Sequence, residues 1–148
     1  MKEVLATYNG GEEAQVSWVF RHFPLDNLHS KARKEAEATE CAAELGGNTA
    51  FWAYTDKIFN ITPSNNGLDL GLLPTLATEI GLDKAAFEKC LNSGKYANKI
   101  EKDYQEATAA GGQGTPFVIV IGPDGKQTVL PGAVPLAEIK KVVDPLLK

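Results

Sequence analysis

The chain has 148 residues, a length that suits one ordinary domain with a single core. Hydrophobic residues make up 43% of it and charged residues 23%, proportions that argue against both disorder and a membrane protein. The net charge is −4, and Lys and Arg are interleaved with acids, so neither nucleic acid nor a membrane is expected as a partner.

The N-terminal part predicts a helix followed by a strand. Residues 1–8 predict a short helix that ends at the glycine-rich 9–11, and they lack the apolar segment and cleavage site of a signal peptide. No signal peptide is therefore expected, and the compartment is left open. Residues 15–23 are rich in β-branched and aromatic side chains and predict a strand, which Pro24 ends.

Helical periodicity dominates the middle of the chain. The first predicted helix ends at Gly46–Gly47, and the second carries so many aromatic residues that we expect it at the centre of the helical part. Turn residues and stop signals separate the others. The five predicted helices cover residues 28–45, 49–59, 70–80, 84–91 and 96–110.

The C-terminal part predicts a β-hairpin and a helix. Pro116–Ile121 is the most strongly β-forming segment, and the turn Pro123–Gly125 connects it to a second strand at 126–130. Pro135 can start a last helix with one apolar stripe. The predicted order is one helix, one strand, five helices, two strands and one helix, in a single domain at 1–148 with a helical insertion at 28–110.

The cysteines and histidines suggest no metal site. Cys41 and Cys90 are 49 residues apart, which matches neither a redox pair nor a zinc half-site. They could form a structural disulfide between two helices or remain buried free thiols, and we prefer free thiols because cysteine is often fully buried. His22 and His29 have no third ligand at usable spacing, so each is expected to form local hydrogen bonds.

Two blocks of sequence carry a resemblance to a known family. One is Gly114-Thr115-Pro116-Phe117, followed by a strand, a turn, a strand and a helix. The other is the segment Val-Phe-Arg-His-Phe-Pro-Leu at 19–25, continued by Phe51-Trp52-Ala53-Tyr54. Together they resemble the bacterial DsbA-like disulfide oxidoreductases, in which helices are inserted into a thioredoxin fold. The resemblance implies an α/β, thioredoxin-like fold with a cis peptide bond at Pro116.

The resemblance also implies which site residues remain. In that family a strand and a helix start bearing Cys-x-x-Cys would precede the present Met1, but this sequence contains no Cys-x-x-Cys. We therefore assign no catalytic residue and no cofactor, and expect a truncated form without dithiol activity of its own. Thr115 and Pro116 carry over as substrate-binding residues, since the residue before the cis-proline offers its backbone to an extended polypeptide.

The absent strand would lie between the strands at 16–20 and 117–121, so two strand edges would be exposed. We expect rearranged pairing or another chain to close the gap. The expected partner is therefore an extended polypeptide substrate or another copy of this chain, which would give a homo-oligomer through the exposed edges.

Two other functions stay open. The chain could be a non-catalytic peptide-binding or assembly module that uses the cis-proline edge. It could also be a relative of glutathione-dependent isomerases or transferases, although these need an N-terminal catalytic residue that is missing. The DsbA-like family is usually periplasmic or extracytoplasmic, which is the compartment that the resemblance implies.

Overall fold

A computed structural model describes residues 2–11, 13–63 and 65–147 of the chain. Short 3-10 turns lie at Leu70–Leu72 and at Asp144–Leu147. Within the described residues, no helix combines the length and apolar composition needed to cross a lipid bilayer. The elements are α1 (Lys2–Asn9), α2 (Ala32–Ile61), α3 (Leu73–Glu79), α4 (Lys84–Ser93), α5 (Ala97–Ala109), β1 (Phe117–Ile121), β2 (Gln127–Pro131) and α6 (Leu136–Val143).

The chain divides into two compact units. The helical unit is His22–Glu106, and the sheet unit comprises the residues up to Arg21 and those from Ala107 onward. The predicted single domain with an insertion at 28–110 stays a prediction, because two compact units can belong to one domain or to two.

Helix α2 is broken at the two glycines that predicted a helix end. Gly46 has φ −138° and Gly47 has φ 68°, and both leave the helical region before the helix resumes. The positive φ of Gly47 is strained for any residue with a Cβ. The two predicted helices are thus present as the two halves of α2, although the first begins at Ala32, after a turn at 26–28.

The core of the helical unit forms where α2 packs against α3 and α4. Tyr54, Leu73 and Phe87 are fully enclosed there. The rings of Tyr54 and Phe87 are 5.3 Å apart, and the Tyr54 hydroxyl donates a 2.8 Å hydrogen bond to the Leu73 carbonyl. The aromatic half of α2 does lie at the centre, since Phe51 is also buried, but Phe59 is 72% exposed.

Cys41 and Cys90 form a disulfide bond between α2 and α4. The preference for two free thiols is therefore wrong, although both side chains are buried as expected. Packing of the two helices brings the Cα atoms to 5.9 Å, which lies within the range that a disulfide can bridge. The spacing of the two cysteines in sequence carries no information about that distance.

The sheet unit contains a β-hairpin, as predicted. Strands β1 and β2 are antiparallel, with Phe117 opposite Pro131 and Ile121 opposite Gln127. The turn between them needs a residue in the left-handed region, which Gly125 supplies with φ 78°.

The predicted strand over 15–23 is wrong, because residues 14–25 form neither strand nor helix. Their composition favours a strand, but a strand forms only beside a ladder partner, and the sheet described has two strands. No rearranged pairing is present among the described residues. Pairing with another chain stays a prediction.

The buried position of Phe87 gives a test of this core. We expect Phe87→Ala to lower the free energy of unfolding of the helical unit by about 3–5 kcal/mol, because it leaves a cavity. Phe59→Ala is the matched control and should change it by less than about 0.5 kcal/mol, since that ring is exposed. Urea unfolding followed by Trp52 fluorescence in a Trp18→Phe background measures both. Equal losses in the two variants would contradict the packing described.

Candidate functional site

Thr115 and Pro116 lie at the entry to β1 in the sheet unit. Their peptide bond is cis, and both residues are exposed. The Pro116 carbonyl accepts a 3.0 Å hydrogen bond from the Gly132 N–H. In the described part of the chain, the Thr115 backbone has no hydrogen bond. Their role in substrate binding stays a prediction.

The hydrogen bonds at the two ends of the hairpin show which backbone groups of β1 face β2. At one end the Gly122 N–H donates to the Lys126 carbonyl at 2.9 Å, and at the other the Gly132 N–H donates to the Pro116 carbonyl. Hydrogen-bonded pairs recur at every second residue of an antiparallel ladder. The even-numbered residues of β1 therefore face β2.

The odd-numbered residues Phe117, Ile119 and Ile121 point their N–H and C=O groups away from β2. No third strand pairs with them in the residues that the structure describes. The strand contains no charge and no proline of the kind that blocks pairing at natural sheet edges. This row, called the open edge, can accept an extended polypeptide through main-chain hydrogen bonds.

Asn9, the last residue of α1, holds the start of the segment that fails to form a strand. Its side-chain oxygen accepts hydrogen bonds from the N–H groups of Gln15 at 3.0 Å and Val16 at 3.1 Å. Its amide nitrogen donates to the Val16 carbonyl at 2.9 Å. One amide side chain thus supplies hydrogen bonds that a neighbouring strand would supply. From the sequence alone, Asn9 is predicted only as part of the helix end at 9–11.

Tyr8 connects α1 to the residue that follows α6. Its hydroxyl donates a 2.7 Å hydrogen bond to the Asp144 carboxylate. Burial and the neighbouring carboxylate raise the pKa of Tyr8 to about 12. The hydroxyl therefore stays protonated near neutral pH and acts as a structural donor.

The helical unit contains a buried charged cluster that the sequence analysis did not predict. His22 is 5% exposed, and its Nε2 lies 2.9 Å from Glu40 Oε1. Lys99 Nζ donates to Glu40 at 2.8 Å and to Asp103 at 3.2 Å. The backbone N–H of His22 also donates to Asp103, at 3.3 Å. The expectation of local bonding for His22 is wrong, because these partners are 18 and 81 residues away in sequence.

The charge state of Glu40 indicates that this cluster is structural. Burial opposes ionisation of Glu40, but hydrogen bonds from His22 and Lys99 outweigh it and hold the pKa of Glu40 below its ordinary value. A carboxylate that is already paired twice and held ionised is a poor proton donor. We therefore assign the cluster to stability of the helical unit.

The two cysteines are buried in the helical unit, and no candidate metal-binding group occurs in the described ranges. No group of three His, Cys, Asp or Glu side chains is placed to hold a metal ion there. Cys41 and Cys90 are 1% and 6% exposed and are bonded to each other. The sheet unit, which carries the exposed Thr115 and the open edge, contains no cysteine.

Comparison with known proteins agrees with this architecture. Residues 21–144 match the family model described as DSBA-like thioredoxin domain. The structure is similar to the crystal structure of Pseudomonas aeruginosa DsbA2, with a TM-score of 0.69 and 30% sequence identity. The match covers 88% of this chain and 73% of that chain. It confirms the α/β, thioredoxin-like fold class.

Curated relatives of similar sequence are much longer proteins. The chain is 32% identical over 122 residues to the Na(+)/H(+) antiporter NhaA 3 of Salinispora tropica, which covers 82% of this chain and 17% of that protein. It is 32% identical over 105 residues to the Na(+)/H(+) antiporter NhaA of Herminiimonas arsenicoxydans, covering 71% and 16%. The chain therefore spans about a sixth of the length of these relatives.

The lowered pKa of Glu40 predicts how acid affects the helical unit. Its stabilising contribution is present above the unfolded pKa of about 4.3 and is lost as pH falls through the lower folded pKa. We expect Glu40→Gln to lower stability at neutral pH and to make its decline between about pH 5 and pH 3 shallower. Urea unfolding midpoints across that range measure the slope.

Glu88→Gln is the control for this measurement, because it removes only an exposed 3.9 Å ion pair with Lys84. The control should keep the pH dependence of the unsubstituted chain. An identical slope in Glu40→Gln and the unsubstituted chain would show that the cluster does not contribute as argued.

Proposed function

Because this chain belongs to the DsbA-like thioredoxin domain family, we propose that it is a truncated thiol-disulfide oxidoreductase domain without dithiol activity of its own. The observation that carries this proposal is the state of the cysteines. Both are buried in the helical unit and bonded to each other. Reactive cysteines, in contrast, are partly exposed and lie in electropositive surroundings. The proposed function is therefore substrate binding.

The sequence lacks the cysteine pair that disulfide exchange in this family uses. Disulfide exchange needs a thiolate that attacks a disulfide sulfur, and a helix N-terminus lowers the pKa of such a thiol. Helix α1 contains no cysteine, and no Cys-x-x-Cys occurs in the sequence. We propose that the strand and helix start carrying that pair are absent from these 148 residues.

Polypeptide binding is assigned to Thr115, Pro116 and the open edge. Thr115 is exposed and its backbone is not hydrogen-bonded in the described structure. Phe117, Ile119 and Ile121 add a row of outward backbone groups on an uncharged strand. An extended segment of a substrate, or the same edge of a second copy, could pair with this row by strand addition.

The test compares this chain with a version extended upstream in its own gene through a Cys-x-x-Cys. We expect insulin reduction and dithiol oxidation only in the longer chain, because only it has a low-pKa thiol. Replacing both cysteines of the upstream Cys-x-x-Cys by alanine is the control and should abolish activity in the longer chain, because the Cys41–Cys90 bond is left in place.

Two outcomes would contradict the proposal. Activity in the 148-residue chain would make the Cys41–Cys90 pair catalytic, because these are its only cysteines. An upstream reading frame without a Cys-x-x-Cys would exclude a truncated oxidoreductase and favour the dedicated peptide-binding module.

A second proposal concerns a larger protein to which this domain would belong. The curated relatives reported above are named Na(+)/H(+) antiporters, and each is matched over only about a sixth of its length. We propose that the chain is the DsbA-like domain appended to a membrane transporter. This proposal replaces the expectation of no membrane partner.

An antibody raised against the chain tests this proposal in cells of the source organism. We expect a band in the membrane fraction that is several times heavier than the 15.9 kDa of the chain. A band at 15.9 kDa outside the membrane fraction would contradict it.

A further inference from the structure

We propose that Cys41 and Cys90 are a modification site that an external disulfide donor oxidises only while the helical unit is open, and that is closed to exchange once the unit has packed. The proposal does not rest on the proposed function, because it concerns how this chain acquires its own disulfide. It assigns the chain a partner of defined chemistry, a protein or small molecule that carries an exchangeable disulfide.

Both cysteines of the pair are buried in the helical unit. Cys41 lies in the first half of α2 and is 1% exposed, and Cys90 lies near the end of α4 and is 6% exposed. Both belong to the apolar core, together with Ala38, Ala42 and Leu91. Thiol-disulfide exchange requires a third sulfur to reach one of the two bonded sulfurs. The burial of both residues in the folded helical unit therefore hinders that approach.

Polar contacts also hold α2 against the end of α4 and the residues that follow it. Lys34 in α2 donates a 2.7 Å hydrogen bond to the Leu91 carbonyl in α4. Glu44, also in α2, accepts a 2.7 Å hydrogen bond from the Tyr96 hydroxyl and pairs with Lys95, both just beyond α4. In α2 these contacts lie on both sides of Cys41, and on the other side of the disulfide they all follow Cys90 in sequence. Exposure of the sulfurs therefore requires α4 to separate from α2.

The oxidation step can be written with its atoms and electrons. One cysteine of the pair loses its proton, and its thiolate attacks the donor disulfide, which gives a mixed disulfide and releases one donor thiolate. The second cysteine, as a thiolate, then attacks the mixed disulfide, forms the Cys41–Cys90 bond and releases the other donor thiolate. Two electrons pass from the chain to the donor, and the two protons end on the donor thiols.

The disulfide should matter for stability because of the loop that it closes. The two cysteines are separated by 49 residues. Closing a loop of that size should lower the unfolding equilibrium constant by about a thousandfold in the chain-entropy account. A chain made where thiols stay reduced would lose that factor. The stability of the helical unit therefore depends on an oxidising compartment.

The experiment treats the purified chain with dithiothreitol, with and without urea, and counts free thiols by alkylation and mass spectrometry. We expect reduction in native buffer to be at least about a hundredfold slower than in urea, because the helical unit must open first. Similar rates in the two conditions would show that the disulfide is accessible and would overturn the proposal.

A second arm measures the stability effect. Cys41→Ala with Cys90→Ala should raise the unfolding equilibrium constant by about a thousandfold and make it insensitive to dithiothreitol. An unchanged unfolding midpoint would overturn the proposed dependence on oxidation. If the double variant does not fold, the reduction rates of the unsubstituted chain still decide whether the disulfide is closed to exchange.

Discussion

Backbone pairing along β1 is the constraint on which the sheet unit depends. The strand is hydrogen-bonded to β2 on one side, and no third strand in the described residues pairs with Phe117, Ile119 and Ile121 on the other. Residues 14–21 form no strand, and the Asn9 side chain forms hydrogen bonds with the backbone groups of Gln15 and Val16. The same unpaired row is what makes the open edge a candidate binding surface.

The helical unit has an apolar core and a charged cluster of its own. Its buried apolar side chains come from α2, α3 and α4, with Tyr54, Leu73 and Phe87 at the centre. Its charged cluster pairs Glu40 with both His22 and Lys99. Cys41 and Cys90 form a disulfide bond within this unit.

Features set by local sequence could be predicted, and features that depend on distant partners could not. The break at Gly46–Gly47 and the turn at Gly125 follow from backbone conformations that glycine permits, and both are present. The strand at 15–23 failed because its composition says nothing about whether a partner strand exists. For the same reason, the sequence does not predict the Cys41–Cys90 bond or the His22–Glu40 contact, since each joins residues that are distant in sequence. Thr115 and Pro116 came only from the resemblance, since residue chemistry alone does not distinguish them from an ordinary loop.

The central claim is that this DsbA-like domain presents an open strand edge. Residue-resolved amide hydrogen exchange along β1, recorded by NMR over a dilution series, tests it most directly. The account predicts fast exchange at Phe117, Ile119 and Ile121 and slow exchange at Val118 and Val120, whose amides face β2. Protection of the odd-numbered amides that disappears on dilution would identify a second copy as the partner. Equal protection of all five amides at every concentration would contradict the account, because it would mean that a strand of the chain itself covers the edge.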